Sequence, residues 1–303
     1  MKTVAVIMST YKGALHICRQ LDSIFKQSGV QVRVFIRDDH SPDNTVEVVE
    51  KYRHAHSDRK IEYIVGDNEG YAKSFWDALC MAGDADYYAF SDQDDIWKQD
   101  KLFKLILPME NSKFYGPKLA YCKMQRSDEN KVRLNEQVKI LKPKDLSKKL
   151  CLTQTYNYGA ATVFNKSAKD LICRTWPDRK DVPHDLWAGL LCYWFGKVFY
   201  VDEELYYWIR YGTSVTGEGT KKSGRLYRIK ETLKGLSYPN VADNLLKSYD
   251  DLLIAEDREF LRRISTYKES PKSKVRLLLD PSFKRHTFVG SIILKAGIFF
   301  NWF

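Results

Sequence analysis

The sequence predicts an α/β protein with a mainly parallel central sheet. Short apolar segments alternate with segments of helical periodicity through residues 1–110, and polar side chains directly follow several of the apolar segments. Because parallel strands need a crossover connection that is usually a helix, this alternation favours a parallel sheet covered by helices. Such sheets bind ligands at the carboxyl ends of their strands. We therefore expect the functional site where these polar residues collect.

Each predicted strand of this region is a short, mostly apolar run, which favours strands of a sheet covered by helices. The runs are Val4–Met8, Val32–Arg37, Ile61–Val65 and Tyr87–Ser91. The helices between them are predicted from apolar residues spaced three and four apart. They cover about Ala14–Gln27, Thr45–Tyr52 and Tyr71–Ala82.

The alternation is less regular after Met109. Strands are predicted at Leu119–Met124, Gly159–Phe164 and Lys197–Val201. A helix is predicted at Asp185–Phe195, immediately before the last of these strands. Residues 125–156 are polar and lysine-rich without a clear period, and from about Gly217 the chain is expected to be helical and basic.

The composition is that of a soluble globular protein, with 44% hydrophobic and 29% charged residues, and excludes a disordered or fibrous chain. The apolar run near the N-terminus is too short for a signal peptide, and no apolar run of about 18 residues predicts a membrane-spanning helix. The six cysteines are scattered, without a CxxC pair or zinc-like spacing. We expect them to be buried free thiols of a cytoplasmic protein.

Four polar residues, Asp92-Gln93-Asp94-Asp95, follow the fourth predicted strand. Adjacent carboxylates repel one another, so a pKa among them should rise unless a cation is present. Mg²⁺ and Mn²⁺ prefer oxygen ligands, and Mg²⁺ sites commonly combine one or two carboxylates with phosphate oxygens. Asp92 and Asp94 are therefore candidate metal ligands beside a diphosphate. The alternative is a solvated acidic turn that caps the next helix.

Asp38 and Asp39 follow the second predicted strand. A carboxylate at this place can accept a hydrogen bond from a pyrimidine N3–H or from ribose hydroxyls. Tyr11, which follows the first strand, can stack on a base. The alternative is turn chemistry, because residues 39–43 are rich in turn-forming residues.

Together these segments resemble the family-2 glycosyltransferases of the GT-A fold, in particular bacterial rhamnosyltransferases that build surface polysaccharides. Four blocks occur in the family's order and spacing: MSTYK at 8–12, IRDDHSPD at 36–43, DNEGYA at 67–72 and FSDQDDIW at 90–97. Three further blocks resemble the acceptor-side strand and the catalytic-base region of that family: 157–165, 183–187 and 196–203. The resemblance extends over about residues 3–217.

The resemblance implies an inverting, metal-dependent sugar transfer from a nucleotide-sugar donor. Asp185 would be the general base, and Asp94 with Asp92 would bind Mn²⁺ or Mg²⁺. The donor and its nucleotide would be held by Ser9, Tyr11, Asp38, Asp39, Asn68, Gly70, Lys73, Asp92, Asp95 and Arg210. The GT-A domain would cover 1–217, with a nucleotide-sugar half at 1–110 and an acceptor half at 111–217. Residues 218–303 would form a helical extension.

One position departs from the family pattern. Relatives usually have a Tyr-Arg-x-His-Gly run whose His can support the metal and the diphosphate, and Tyr211 stands at that place in this sequence. Arg210 can neutralise the diphosphate instead, because a guanidinium matches phosphate oxygens. For His184 two interpretations stay open: a hydrogen bond that orients Asp185, or a simple place at the start of a helix.

The net charge of +10 is concentrated in the C-terminal part of the chain. Cations cluster between Lys221 and Lys234 and recur from Arg262 to Arg285, and the chain ends in an apolar segment at 288–303. This combination is typical of a helix that lies on an anionic membrane surface, and it would suit an acceptor on a polyprenyl lipid. The alternative is a tail helix that packs on the catalytic domain with its cations in water. The first interpretation places the protein in the cytoplasm, peripheral on the inner face of the plasma membrane.

Three classes of function are compatible with these features. The first is transfer of a sugar to a lipid-linked or growing cell-surface polysaccharide. By resemblance its donor is dTDP-L-rhamnose, with a UDP-hexose in capsule or O-antigen synthesis as the alternative. The second is a non-catalytic nucleotide- or glycan-binding relative. The third, nucleic-acid binding, is opposed by the acidic cleft, which would repel phosphates, and by the lack of a nucleic-acid-binding motif.

Overall fold

The computed structural model describes residues 1–134, 138, 140–177, 182–211 and 238–303. The described strands are β1 (Lys2–Thr10), β2 (Val30–Asp38), β3 (Ile61–Val65), β4 (Tyr87–Ser91), β5 (Ile96–Trp97), β6 (Lys118–Ser127), β7 (Thr162–Asn165) and β8 (Lys197–Ile209). They form one sheet in the order β3-β2-β1-β4-β7-β6-β8-β5. β1 to β4 are parallel, whereas β7 is antiparallel to both of its neighbours. The predicted α/β class is confirmed.

Helices cover both faces of the sheet. They are α1 (Ile17–Phe25), α2 (Thr45–Ala55), α3 (Tyr71–Met81), α4 (Lys101–Glu110), α5 (Lys148–Thr153), α6 (Lys166–Cys173), α7 (His184–Phe195), α8 (Tyr238–Ser248), α9 (Ala255–Thr266), α10 (Pro271–Leu279) and α11 (Phe288–Phe299). Single 3₁₀ turns lie at Pro143–Asp145, Gly159–Ala161 and Asp250–Leu252.

The continuous apolar run of β1 is buried on both faces, as its composition predicts. Val4, Val6 and Met8 pack against α1, α2 and α4, whereas Ala5 and Ile7 point to the opposite face. That opposite face packs against α3, α5, α6 and α7. Because successive side chains of a strand alternate in direction, an all-apolar run is stable only between two covering layers.

The C-terminal helices pack into the same hydrophobic cluster as α3 and α7. Val241 of α8, Leu261 of α9 and Ile298 of α11 are fully buried there. The part of the chain that the structure describes contains no helix long and apolar enough to cross a membrane. The predicted domain boundary at 217/218 and the cations between Lys221 and Lys234 lie outside the described residues.

Several elements differ from the sequence-based expectation. The predicted strand at Gly159–Phe164 begins as a 3₁₀ turn and is extended only at β7, and β8 continues well beyond Val201. The irregular stretch 125–156 contains the end of β6 and all of α5. The two-residue strand β5 and the helix α4 were not predicted.

The expectation of six free thiols is wrong for two of them. Cys80 near the end of α3 and Cys173 at the end of α6 form a disulfide, with their Cα atoms 5.5 Å apart. This spacing is ordinary for a disulfide and follows from the packing of α3 beside α6, which the sequence does not reveal. Cys18, Cys122, Cys151 and Cys192 are free thiols.

Candidate active site

The carboxyl ends of β1, β2 and β4 meet at one edge of the sheet. In the strand register Thr10 lies beside Asp38, and Met8 lies beside Ser91. The loops that follow these strands therefore start close together, and they carry the polar residues predicted to bind the donor. The residues predicted to bind the nucleotide base and the acidic cluster consequently lie at the same edge of the sheet.

Asp39 is buried and organises the loop between β3 and α3. Its Oδ1 accepts hydrogen bonds from Arg37 Nη1 at 2.8 Å and from the Glu69 backbone N–H at 3.0 Å. Its Oδ2 accepts from the Gly70 N–H at 2.9 Å. Gly70 has a φ of 88°, a left-handed conformation that glycine adopts without steric cost. Because Oδ2 accepts a single hydrogen bond among the described residues, it retains a lone pair for a ligand.

Asp38 was expected at the nucleotide but is an interior residue. It has no exposed surface, and its Oδ2 accepts hydrogen bonds from the hydroxyls of Thr10 and Ser41, each at 2.7 Å. Its Oδ1 accepts from the Ser41 backbone N–H at 2.7 Å. The carboxylate therefore fixes the turn after β2, which is the turn chemistry that the sequence left open.

Ser9 and Tyr11 lie at the end of β1, as predicted. The Ser9 hydroxyl donates to the Ser74 hydroxyl at 2.7 Å, whereas the Tyr11 ring is 40% exposed and faces the cleft edge. The Gln93 side-chain amide bonds both backbone groups of Tyr11, accepting from its N–H at 3.0 Å and donating to its carbonyl at 2.9 Å. Gln93 thereby ties the acidic loop to the end of β1.

Asn68 and Lys73 lie near Asp39 but make different contacts. Asn68 is exposed on the loop before α3. The Lys73 ammonium pairs with Asp77 on the same helix and lies 3.8 Å from Glu69. Lys73 is therefore part of an ion network around Arg37, which the sequence analysis did not include.

The acids after β4 are not a solvated turn. Asp92 and Asp94 are half-buried, and burial raises the pKa of Asp92 to about 7, with the charges of Asp94 and Asp185 adding to the rise. Burial also raises the pKa of Asp94, and the nearby Arg210 guanidinium acts in the opposite direction. The next helix follows Asp100, so these acids do not cap it. The alternative of a solvated, helix-capping turn is wrong. The expected rise in pKa among these carboxylates is present.

Asp95 was expected at the donor sugar but lies inside the protein, with 1% of its surface exposed. Its Oδ1 accepts a hydrogen bond from the Ile209 N–H at 3.3 Å, and its Oδ2 has no partner among the described residues. Burial and the neighbouring charges of Asp92 and Asp94 raise the pKa of Asp95 well above its usual range. Asp95 therefore joins the acidic loop to the end of β8.

A buried lysine lies beneath these acids. Lys101 has no exposed surface, and its Nζ lies 3.2 Å from the ring centroid of Trp97 without a hydrogen-bond acceptor among the described residues. Burial lowers the pKa of Lys101 to about 7, while the carboxylates of Asp95 and Asp92 act in the opposite direction. A cation–π contact with the indole partly replaces the lost hydration of the ammonium.

Asp185 lies in the first turn of α7, where its carboxylate is held by two backbone N–H groups. Its Oδ1 accepts from Leu186 at 2.8 Å, and its Oδ2 accepts from Gly159 at 3.1 Å. Burial raises the pKa of Asp185 to about 6, although both hydrogen bonds favour the charged form. Its charge also raises the pKa of Asp92 and of Tyr158. Asp185 therefore lies within electrostatic range of Asp92 in the acidic loop.

His184 does not orient Asp185. Its ring is stacked on Phe75 with a centroid distance of 3.9 Å, and neither ring nitrogen has a hydrogen-bond partner among the described residues. Burial lowers the pKa of His184 to about 3, so the ring is neutral. Of the two interpretations that the sequence left open, the structural one at the start of α7 is confirmed.

Comparison with known proteins identifies the family. Residues 5–172 match the sequence profile described as glycosyl transferase family 2, which is more than half of the chain. The chain belongs to this family. The resemblance found in the sequence motifs is therefore confirmed at the level of the family.

Individual relatives extend this assignment. The chain is 37% identical over 114 residues to the dTDP-rhamnosyl transferase RfbG of Shigella flexneri, a match that spans 36% of this chain and 39% of RfbG. TarS of S. aureus in complex with UDP-GlcNAc matches with a TM-score of 0.57 and 18% identity, over 93% of this chain and 77% of TarS. The mannosyltransferase PcManGT of Pyrobaculum calidifontis with GDP-Man and Mn²⁺ has a TM-score of 0.50 and 16% identity, over 99% and 80% of the two chains. These likenesses confirm the GT-A fold.

Tyr211 takes a structural place in this family-2 protein. Its ring stacks on His16 at a centroid distance of 3.8 Å, and its hydroxyl donates to the Asp94 carbonyl at 3.1 Å and is in contact with the Arg19 guanidinium. Arg210 lies beside the acidic loop, where its charge lowers the pKa of Asp94, and its guanidinium is 4.8 Å from the ring centroid of Trp208. Tyr211 therefore braces the backbone of the acidic loop.

Sequence reasoning missed three residues that shape the glycosyltransferase cleft: Arg37, Gln93 and Lys101. Arg37 is 4% exposed and pairs with Asp39 and Glu69. Arg37 directly precedes Asp38 and Asp39, and Gln93 lies between Asp92 and Asp94. This adjacency in the recognised motifs could have indicated that both residues belong to the site. Lys101 follows Asp100 in a sequence typical of a helix start and gives no sign of its burial.

Proposed function

We propose that this glycosyltransferase is an inverting enzyme that transfers L-rhamnose from dTDP-L-rhamnose to a hydroxyl of a lipid-linked or growing cell-surface polysaccharide. The observation that carries the inverting mechanism is the position of Asp185. Its carboxylate is held at the start of α7, with a pKa raised by burial, and its charge acts directly on Asp92 of the acidic loop. A base on one side of the cleft thus faces the donor-binding side.

In the proposed reaction the acceptor hydroxyl attacks the anomeric carbon while Asp185 takes its proton. The bond between that carbon and the diphosphate oxygen breaks, and the nucleoside diphosphate leaves with the electron pair. A positioned carboxylate of this kind contributes typically about 10²–10⁴-fold in rate. The Leu186 and Gly159 N–H groups hold both oxygens of Asp185 in place and leave further lone pairs for the proton.

The donor-binding residues that the structure supports are fewer than the sequence implied. Asp39 Oδ2 has capacity to accept the N3–H of a pyrimidine, and the exposed Tyr11 ring can stack on the base. We assign Ser9, Asn68, Gly70 and Lys73 to the surroundings of the nucleotide, and Asp92 and Arg210 to the sugar and diphosphate. Asp38 and Asp95 act through the backbone turns that they hold.

The acidic loop fits a divalent cation. Among the described residues no group of three or more His, Cys, Asp or Glu side chains could hold a metal alone. Asp94 and Asp92 would therefore supply one or two ligands, which is common for Mg²⁺ bound with phosphates. When bound, Mn²⁺ or Mg²⁺ supplies Lewis-acid stabilisation of the leaving diphosphate. The raised pKa of Asp92, caused by burial and by like charges, is the cost that such a cation would remove.

The choice of donor rests on similarity. RfbG is named a dTDP-rhamnosyl transferase, whereas the solved structure of TarS contains UDP-GlcNAc. A UDP-hexose is therefore the alternative donor. A non-catalytic nucleotide- or glycan-binding role is opposed by the placement of Asp185 opposite Asp92 and Asp94.

The experiment that tests this function is thermal unfolding with dTDP, UDP and GDP, each with and without Mn²⁺. A ligand that binds only the folded state raises the Tm. We expect a rise with dTDP that requires Mn²⁺, followed by transfer from labelled dTDP-L-rhamnose to a membrane lipid fraction. A larger rise with UDP would favour the alternative donor. No rise with any nucleotide would contradict the proposal, and binding without transfer or hydrolysis would favour the non-catalytic role.

We also propose that the enzyme is peripheral on the inner face of the plasma membrane, through α11 and the residues after it. This helix buries Leu294 and Ile298 in the core, while its opposite face exposes Phe288, Val289, Ile292 and Phe299. Phe300 and Trp302 continue this exposed face, and Lys272 and Lys284 are exposed near it. Apolar bulk flanked by cations matches an anionic leaflet. The Cys80–Cys173 disulfide does not support a cytoplasmic location, since disulfides are uncommon in the cytoplasm. The proposal therefore rests on the exposed apolar face of α11.

Sedimentation with lipid vesicles tests the membrane proposal. We expect binding to vesicles that contain phosphatidylglycerol and little binding to pure phosphatidylcholine. The double variant Phe288→Ser/Ile292→Ser removes exposed apolar groups and should abolish binding without lowering the Tm. Tyr115→Ser, which changes an exposed aromatic residue outside this helix, is the matched control. Equal binding of all three proteins would contradict the proposal.

A further inference from the structure

A cavity of about 310 Å³ lies between the acceptor half and the segment that precedes α11. Tyr156 and Tyr158 line it from one side, and Arg285, His286 and Thr287 line it from the other. The His286 backbone N–H donates to Gln154 Oε1 at 2.9 Å, which fixes the C-terminal segment against the acceptor half. The cavity is therefore built from two distant parts of the chain.

This cavity adjoins the general base. Tyr158 directly precedes Gly159, whose N–H donates to Asp185 Oδ2 at 3.1 Å. The Tyr156 hydroxyl donates to the Gly189 carbonyl of α7 at 2.8 Å, and α7 also carries Asp185. The same backbone segment thus forms one wall of the cavity and one contact of Asp185.

The cavity contains a cation that lacks an anionic partner. Arg285 is half-buried, and no ion pair or side-chain hydrogen bond joins its guanidinium to another described residue. Other partly buried arginines in the described part of the chain have such a partner, for example Arg37 with Asp39 and Arg258 with Asp250. An unpaired guanidinium beside tyrosine rings is suited to a phosphate ester, because guanidinium binds phosphate oxygens and the rings pack on sugar or isoprenoid carbons.

The position of Arg285 in the chain indicates how the acceptor approaches. α11 begins at Phe288, immediately after the cavity-lining residues, and its first turn exposes Phe288 and Val289. An acceptor whose apolar part lies along α11 would therefore bring a phosphate to Arg285 and its first sugar towards Asp185.

We propose that this cavity is the acceptor subsite and that Arg285 binds a phosphate or diphosphate ester of the acceptor. The proposal rests on the proposed glycosyltransferase function. The phosphate has two potential sources: a prenyl diphosphate that carries the glycan, or a polyol phosphate within a growing polymer.

Calorimetric titration of the full chain tests the subsite. The donor site is first saturated with Mn²⁺ and whichever of dTDP, UDP or GDP raises the Tm, so that added phosphates cannot bind there. The probes are geranyl diphosphate and glycerol 1-phosphate, with geraniol and glycerol as uncharged counterparts. The variant is Arg285→Gln, and the control is Lys284→Gln, an adjacent exposed cation that does not line the cavity.

We expect the native protein and Lys284→Gln to bind at least one phosphate probe, and Arg285→Gln to bind it at least tenfold more weakly at an unchanged Tm. The preferred probe identifies the source of the phosphate. The inference is overturned if neither phosphate probe binds, if Arg285→Gln binds as well as the native protein, or if the uncharged probes bind equally. Failure of every nucleotide to bind in the first step would instead contradict the proposed function.

Discussion

The two groups of aspartates at the sheet edge differ in how their charges are compensated. Asp38 and Asp39 are buried, yet each carboxylate accepts three hydrogen bonds from backbone N–H groups, hydroxyls or Arg37. Asp92 and Asp94 have no comparable set of donors among the residues that the structure describes, and burial raises the pKa of both. The charges of Asp38 and Asp39 are thus compensated by hydrogen bonds within the protein, whereas those of Asp92 and Asp94 are not.

This difference separates carboxylates that stabilise the fold of the site from carboxylates whose charge a bound ligand would compensate. A buried carboxylate with its hydrogen bonds satisfied stabilises the fold, and its removal leaves donors unpaired. A carboxylate whose pKa is raised by burial and like charge lowers the stability of the folded state at neutral pH, and a bound cation reverses that effect. Asp185 combines both situations, because it accepts two hydrogen bonds and still has a raised pKa.

The largest expected effect is on catalysis by Asp185. Asp185→Asn keeps the shape and removes the proton acceptor, so transfer should fall by about 10²–10⁴-fold while nucleotide binding is retained. In the native enzyme the base must be ionised, so the rate should fall about tenfold per pH unit as the pH drops below about 6. The measurement is kcat as a function of pH. Asp170→Asn, an exposed carboxylate on α6, is the control and should leave the profile unchanged.

The stability of the same variant checks the sign of the pKa shift. The raised pKa of Asp185 means that its contribution to stability is fully present below its ordinary pKa near 3.8 and is lost as the pH rises through about 6. Relative to the native protein, Asp185→Asn should therefore gain about 3 kcal/mol of stability between pH 3 and pH 7. A constant loss of about 1–3 kcal/mol is superimposed at both pH values, because the amide leaves one of the two backbone N–H donors unpaired. A stability difference that does not change between pH 3 and pH 7 would contradict the raised pKa of Asp185.

The second prediction concerns the uncompensated acids. Asp94→Ala should raise the Tm of the metal-free protein, because it removes a charge whose pKa burial has raised. At a nucleotide concentration of 100 Kd with Mn²⁺ the native protein should gain about 2.7 kcal/mol, and the variant should lose most of this gain. Scanning calorimetry with and without Mn²⁺ measures both effects. A full gain in the variant would exclude Asp94 as a ligand.

The third prediction is the opposite result at the compensated pair. Asp38→Ala leaves the Thr10 and Ser41 hydroxyls and the Ser41 N–H without their buried acceptor, and should lower the free energy of unfolding by about 2 kcal/mol. The denaturation midpoint in urea, without metal, is the measurement. Since Asp94→Ala is the same chemical change, the two variants should shift the midpoint in opposite directions. A shift in the same direction would remove the distinction between the two groups.

The same distinction explains how much of the protein could be predicted from its sequence. β1 to β4 and the helices α1 to α3 are predictable because apolar runs and helical spacing indicate which side chains are buried. The sheet edge follows from them, and with it the positions of Tyr11, Asp39 and Asp94. What is not predictable is whether a carboxylate is satisfied, because its partners come from other parts of the chain. Asp95 bonds to Ile209 and the Asp39 carboxylate to Gly70, and local sequence states neither contact.

The second half of the chain was harder to predict for a related reason. β8 carries three consecutive acidic residues at 202–204, which are exposed or half-exposed, so its apolar signal ends before the strand does. The role of Asp185 came from the family resemblance, because no spacing in the sequence places it opposite Asp92. The fold and the sheet edge predicted to bind the donor thus follow from local sequence pattern. The position of Asp185 and the burial of Lys101 depend on tertiary contacts instead.

The smallest expected effect tests the brace between the two groups. Gln93→Ala removes two hydrogen bonds to the Tyr11 backbone, which is partly exposed and can be rehydrated, so stability should fall by only about 1 kcal/mol. The acidic loop would then be less firmly tied to the base-binding side, and nucleotide affinity should fall about fivefold, the equivalent of about 1 kcal/mol. The matched control is Gln99→Ala, because Gln99 is an exposed glutamine whose backbone carbonyl, which the variant keeps, accepts a hydrogen bond from Ser28. Titration calorimetry with Mn²⁺ and nucleotide measures the change. A native affinity in Gln93→Ala would mean that the loop keeps its position through Tyr211 and the Asp95 contact alone.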